Sequence, residues 1–131
     1  MPSVLIEVRR SHTVAEETAM MDAVHESLVS AFRIPQEDRH VRLIEYLPHR
    51  LVRGTGEPRA DHYTRVTIDC FAGRSIDAKR ALYREIVARL ATLGVPPEDV
   101  SILLRESPIE NWGIRGGAAA CDLDLGFIVE V

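Results

Sequence analysis

The segments "VLIEVRRSHT" at 4–13 and "VTIDCFAGRS" at 66–75 share one pattern: an apolar strand-like run, a short polar turn and a hydroxyl residue placed to cap a helix. Val4 and Val66 stand 62 residues apart. Each segment opens a helical pattern. Each helical pattern is followed by a proline turn, "IPQED" at 34–38 or "VPPED" at 95–99, and then by a second apolar run, "HVRLIEYL" at 40–47 or "VSILLRES" at 100–107. Asp38 and Asp99 repeat at an offset of 61. The chain is therefore a duplicated β-α-β unit, with repeats at about 1–47 and 62–106 and a tail at 107–131.

Helix signals agree with this division. Thr13 precedes Glu16 in capping-box spacing, and Ser75 with Asp77 opens the second helix. Val14, Met21, Val24, Leu28 and Phe32 recur at helical spacing in the first, and Ile76, Tyr83, Ile86, Leu90 and Leu93 in the second. These residues are expected to form the two buried stripes. Pro35 and Pro96 stop the helices or hold the turns after them.

Strands joined through a helix pair in parallel by right-handed crossovers, which sets both helices on one sheet face. The fold class predicted is α/β, a two-layer sandwich of a four-stranded sheet and two helices. Apolar residues on both sides of "VTIDCF" and "SILL" leave an uncovered face that is expected to be dry, and oligomerisation is the simplest cover. The tail, "SPIENWGIRGGAAACDLDLGFIVEV", is expected to finish as a strand. The segment "PHRLVRGTGEPRADH" at 48–62 reads as a loop, and its "GTG" lacks the third glycine and the strand-to-helix setting of a nucleotide fingerprint.

With 131 residues, 46% apolar and 27% charged, the chain is expected to be one domain, 1–131, large enough to bury its own core. A net charge of −4 without a basic patch argues against nucleic acid as a partner. No apolar run approaches the length of a membrane span and no signal-peptide pattern is present, so a cytoplasmic location without membrane association is expected. Cys70 and Cys121 lack metal spacing, lie in apolar settings and are expected to be reduced core residues. His12, His25, His40, His49 and His62 form no ligand-like pair, so no metal is expected; His25 reads as a packed or interface residue.

Pro2 stands between the initiator methionine and the first strand. A small second residue directs removal of the methionine, which would expose a secondary amine at Pro2. A chain α-amine titrates near 8 in model peptides, close to the range a catalytic acid or base needs. Burial and a nearby arginine favour its neutral form, and a nearby carboxylate favours the ammonium. Arg74 stands before a helix N-terminus, where a cation opposes the dipole, and this points to a functional role. Asp38 has a turn-forming counterpart in Asp99 and can serve the turn, catalysis or both. Trp112, the single tryptophan, suits either a pocket wall or packing.

A proline exposed by methionine loss at the head of a duplicated β-α-β chain resembles the tautomerase superfamily. Within it, "DAVHESLVSAFRIPQEDR", "AGRSIDAKR" and "ENWG" are similar to the malonate semialdehyde decarboxylase branch. The resemblance implies a homotrimer without a cofactor, acting on small oxo acids. It also implies catalytic roles for Pro2, Asp38 and Arg74, with Arg74 and Trp112 binding substrate. Ile114 stands where the branch often carries an aromatic, and so bears on the pocket lining. Ala72 stands where some members carry the first residue of Arg-x-Arg, so carboxylate binding rests on Arg74. The implied activity is decarboxylation of malonate semialdehyde or a similar 3-oxo acid. The alternatives are keto–enol tautomerisation of 2-oxo acids such as phenylpyruvate, and a trimeric binding module without chemistry.

Overall fold

The computed structural model describes residues 2–54 and 62–131; Met1, whose removal is expected above, and residues 55–61 of the connecting segment lie outside that description. Each half builds one strand, one helix and a second strand. The elements run β1 (Ser3–Val8), α1 (Val14–Phe32), β2 (Val41–Glu45), β3 (Thr64–Phe71), α2 (Ile76–Ala91) and β4 (Val100–Ser107). The sheet order is β2-β1-β3-β4: parallel within each half, antiparallel where β1 meets β3.

The caps form as their residues dictate. Thr13 Oγ1 accepts from Glu16 N at 3.1 Å while Glu16 Oε1 accepts from Thr13 N at 3.0 Å, closing a capping box. Ser75 Oγ accepts from Ala78 N at 3.1 Å. Helix α1 ends when Arg33 turns left-handed at φ 55 and sends its N–H to Val29 O, two residues before Pro35.

Both helices cover the same sheet face. Val4, Ile6 and Val8 of β1 and Val66, Ile68 and Cys70 of β3 point into one core with Met20, Val24, Leu28 and Phe32 of α1 and Leu82, Ile86 and Leu90 of α2. Burying each of the larger aliphatic side chains contributes about 1.5–3 kcal/mol. Three stripe residues read from spacing fall outside this core: Val14 is 79% exposed, Ile76 57% and Leu93 42%. Val14 and Ile76 are first helical residues, and Leu93 lies beyond the end of α2. Met20 and Leu82, one position before the expected Met21 and Tyr83, take the inward places.

The opposite sheet face carries Arg42, Leu5, Thr67 and Leu103 in one register row, with Ile44 two residues on from Arg42. Charged pairs flank this row, Arg105 gripping Asp69 through bonds of 2.8 and 2.9 Å. The face expected from sequence to be dry therefore mixes Leu5, Ile44 and Leu103 with Arg42 and Thr67.

The tail corrects the sequence reading. It forms a two-residue hairpin, β5 (Gly113–Ile114) with β6 (Ala118–Ala119), and then runs without a terminal strand along its own chain. Leu123, Leu125, Phe127 and Val129 pack on a second apolar cluster built on Phe71, Ile114 and Ala120. Ser75 N donates to Val131 O at 2.8 Å, anchoring the end of the tail at the start of α2. Gly73 makes this approach possible, with φ +136 and a Cβ position 3.2 Å from Val129 Cγ1. Gly73→Ala is expected to cost about 1–3 kcal/mol through this backbone strain, read as a lower urea midpoint with an unchanged far-UV spectrum.

Candidate active site

The antiparallel meeting of β1 and β3 gathers several expected site residues at one end of the sheet. Pro2 is buried immediately before β1. Continuing the pairing of Ser3 with Asp69 by one residue sets Pro2 opposite Cys70. Val4 N donates to His40 O at 2.8 Å, which brings the turn holding Asp38 to the same end. Strands β3 and β4 finish here, Phe71 paired with Ser107, delivering Arg74 and Trp112.

Arg74 is 6% exposed. Its Nη1 donates to Phe71 O at 3.1 Å, and its guanidinium carbon lies 4.8 Å from the centre of the Phe32 ring. Nε and Nη2 are buried without a hydrogen-bond partner among the described residues. Those two N–H groups form one side of the guanidinium fork, the edge that receives a carboxylate through two parallel bonds. Burial pushes the Arg74 pKa down, and the Cys70, Glu106 and Asp38 charges oppose that. An orphaned buried donor costs about 1–3 kcal/mol, so the arrangement is expensive unless an anion completes it.

Asp38 closes the turn through its N–H to Pro35 O at 3.0 Å. Its side chain is 12% exposed, with Oδ1 3.4 Å from His40 Nε2. The turn role anticipated from Asp99 is real, because Asp99 N donates to Pro96 O at 2.9 Å. The two side chains nevertheless differ in setting: Asp99 is ion-paired with Arg53 at 2.8 Å, whereas Asp38 lines a cleft with Pro35, Glu37, Arg115, Leu125 and Phe127.

Trp112 meets Phe71 edge-on at 5.2 Å between ring centres, and its Nε1 donates to Ser107 Oγ at 2.7 Å. Ile114 is buried in the same apolar cluster. His25 is packed, as expected, with Nε2 donating to Gln36 O at 2.8 Å. Arg115 went unrecognised in the sequence reading, although its signal was there: "VRG" at 52–54 and "IRG" at 114–116 share the 62-residue offset. A cleft of about 550 Å³ lies at the other end of the sheet between Arg9, Arg10, Tyr46, Pro48 and His62.

Only one cysteine is a core residue. Cys70 is buried, and burial pushes its thiol up to about 11 despite the Arg74 charge. It is thus a protonated neighbour of Pro2 at neutral pH rather than a nucleophile. Cys121 is exposed on a short 3-10 turn, contrary to the core position expected. At pH 8 a thiol reagent should label one equivalent in native protein, the second reacting only in denaturant.

A family model described as "Tautomerase enzyme" matches residues 38–115. "Probable tautomerase YusQ" of Bacillus subtilis (strain 168) is 30% identical over 128 residues, covering 91% of this chain and 97% of the relative. The chain belongs to the tautomerase superfamily. Solved structures similar to this chain include malonate semialdehyde decarboxylases and a fused 4-OT. One such decarboxylase, inhibited by 3-bromopropiolate, is 28% identical with a TM-score of 0.81, the match covering 89% of this chain and 92% of that one. Another, described with decarboxylase and hydratase activities, is 26% identical with a TM-score of 0.82 over 93% and 99% of the two chains. A fused 4-OT, described as a symmetric trimer, is 28% identical with a TM-score of 0.80 over 90% and 95%. No described helix is long and apolar enough to cross a membrane.

Proposed function

We propose that this tautomerase-superfamily chain decarboxylates malonate semialdehyde or a similar 3-oxo acid, using the secondary amine of Pro2 after loss of Met1. The observation that carries this reading is Arg74, whose buried Nε and Nη2 lack partners among the described residues at the sheet end where Pro2 sits. A substrate carboxylate supplies the two missing acceptors and is held side-on by the guanidinium. Asp38, whose charge reaches Arg74, favours the ammonium form of Pro2.

In the step itself, the bond between the carboxylate carbon and C2 breaks and the carboxylate leaves as carbon dioxide. The electron pair of that bond forms a C2–C3 double bond and the carbonyl oxygen gains charge. The Pro2 ammonium stabilises that charge as it develops. Protonation of C2 then releases acetaldehyde. Trp112, held edge-on by the buried Phe71 ring, would supply an apolar wall beside the reacting carbons.

Leu5, Ile44 and Leu103 on the uncovered sheet face, together with the trimeric fused 4-OT neighbour, support a homotrimer. A second reading, keto–enol tautomerisation of a 2-oxo acid, is favoured by the "Probable tautomerase" relative. A proton NMR time course with malonate semialdehyde and correctly processed protein separates them. Acetaldehyde should accumulate; conversion of phenylenolpyruvate without acetaldehyde formation would move the function to the tautomerase reading.

A further inference from the structure

The side chain of Trp112 has one polar point, its indole N–H, and that point is already engaged. Nε1 donates to Ser107 Oγ at 2.7 Å. The indole is half-buried, and a donor taken out of water needs such an acceptor. Trp112 therefore offers a ligand ring carbon and no hydrogen bond.

The end of β4 puts the acceptor in place. Ser107 is the last residue of that strand and pairs with Phe71, the last residue of β3. Pro108 follows, has no N–H to extend the ladder, and starts the short 3-10 segment Ile109–Asn111. Trp112 closes that segment with its own N–H on Ile109 O at 3.3 Å, which brings the indole back to the Ser107 hydroxyl. The Ser107 carbonyl acts in the other direction, accepting from Ala72 N at 3.0 Å and holding the turn that leads to Arg74. Phe71 links the same two places: its ring meets Trp112 at an interplanar angle of 81°, and its carbonyl accepts from Arg74 Nη1 at 3.1 Å. Ser107 thus ties Trp112 through its side chain and the Arg74 turn through its backbone.

The ring contact leaves the indole some freedom. Edge-on pairs are stable over ring separations of about 4.5–7 Å, whereas a hydrogen bond weakens steeply as its angle falls. The hydroxyl is the more exacting of the two restraints.

We propose that Ser107 is a positioning residue for the reaction: its hydroxyl sets the angle of the Trp112 indole, so that the ring presents carbon surface to the reacting carbons of a substrate held by Arg74. The role rests on the reading that a substrate carboxylate binds Arg74. Its two attachments separate by substitution, because the carbonyl that holds the Ala72 turn stays in every variant and the hydroxyl does not. Threonine keeps the acceptor, valine has threonine's shape without it, and both suit a strand.

The single tryptophan supplies the readout. In full-length, correctly processed protein, Ser107→Val is expected to shift Trp112 fluorescence emission and to raise its quenching by acrylamide. In the same variant kcat for malonate semialdehyde is expected to fall by about ten- to a hundredfold with a smaller change in KM. Ser107→Thr is expected to keep wild-type emission and most of the turnover. Malonate, a carboxylate probe without the aldehyde, should bind Ser107→Val and wild type alike by calorimetry, since Arg74 and its turn are untouched. Emission and turnover unchanged in Ser107→Val overturn the positioning role and leave Trp112 held by Phe71. Equal losses in Ser107→Thr and Ser107→Val, tracking a fall in Tm, would mark Ser107 as structural only. Malonate binding lost in Ser107→Val would move the effect of the hydroxyl from Trp112 to Arg74, against the proposal. Wild-type protein that neither binds malonate nor releases acetaldehyde overturns the carboxylate reading and the Ser107 role with it.

Discussion

Replacing Pro2 by alanine is expected to lower turnover of the oxo acid by about a hundred- to ten-thousandfold, the range that a positioned acid or base contributes. The fold should survive, because Pro2 precedes β1 and has no N–H to lose from the sheet. Alanine keeps an α-amine after processing, but a primary one without the ring that fixes its direction. Circular dichroism and Tm close to wild type, beside collapsed turnover, would place the loss in chemistry. Unchanged turnover in Pro2→Ala would end the N-terminal-amine mechanism. A wild-type protein that binds carboxylates and turns over neither 3-oxo nor 2-oxo acids would instead be a binding module on this fold.

The second large effect concerns Arg74, where function and stability are expected to part. Arg74→Met removes the side-on fork and should reduce kcat/KM by two or more orders of magnitude, as expected when the charged partner of a buried carboxylate is lost, at about 2–5 kcal/mol. It also removes the two buried donors that lack partners. Each such donor costs about 1–3 kcal/mol, which offsets the lost bond to Phe71 O and the contact with Phe32. Tm should therefore hold or rise while activity falls. Arg74→Lys should rescue little, because an ammonium cannot present two parallel N–H groups. A sharp fall in Tm with substrate affinity intact would make Arg74 a structural residue.

Capping residues and strand runs were readable because they act locally. Thr13 with Glu16, and Ser75, close their helices within one turn, and an alternating run such as Val4, Ile6 and Val8 needs only a pleat to face one way. Helix stripes were readable to within one position, since periodicity does not say where the sheet's edge falls; Val14 and Ile76 match the period yet lie beyond it. The Arg115 counterpart of Arg53 was missed because its meaning depends on which carboxylate each one faces, a property of two turns far apart in sequence.

By itself the sequence determined the duplicated β-α-β plan and the capped helices. These follow from local sterics, hydrogen bonding and periodicity, which neighbouring residues carry among themselves. Only the tertiary structure decided that Arg74 is buried with two unpartnered donors and that Cys70 is core while Cys121 is exposed. It alone also decided that the tail folds back on its own chain, and that Arg53 grips Asp99 while Arg115 donates to the Asp124 carbonyl. The reason is physical: burial, desolvation and unmet hydrogen bonds depend on what the rest of the chain places around a side chain, and no short window of sequence contains those neighbours.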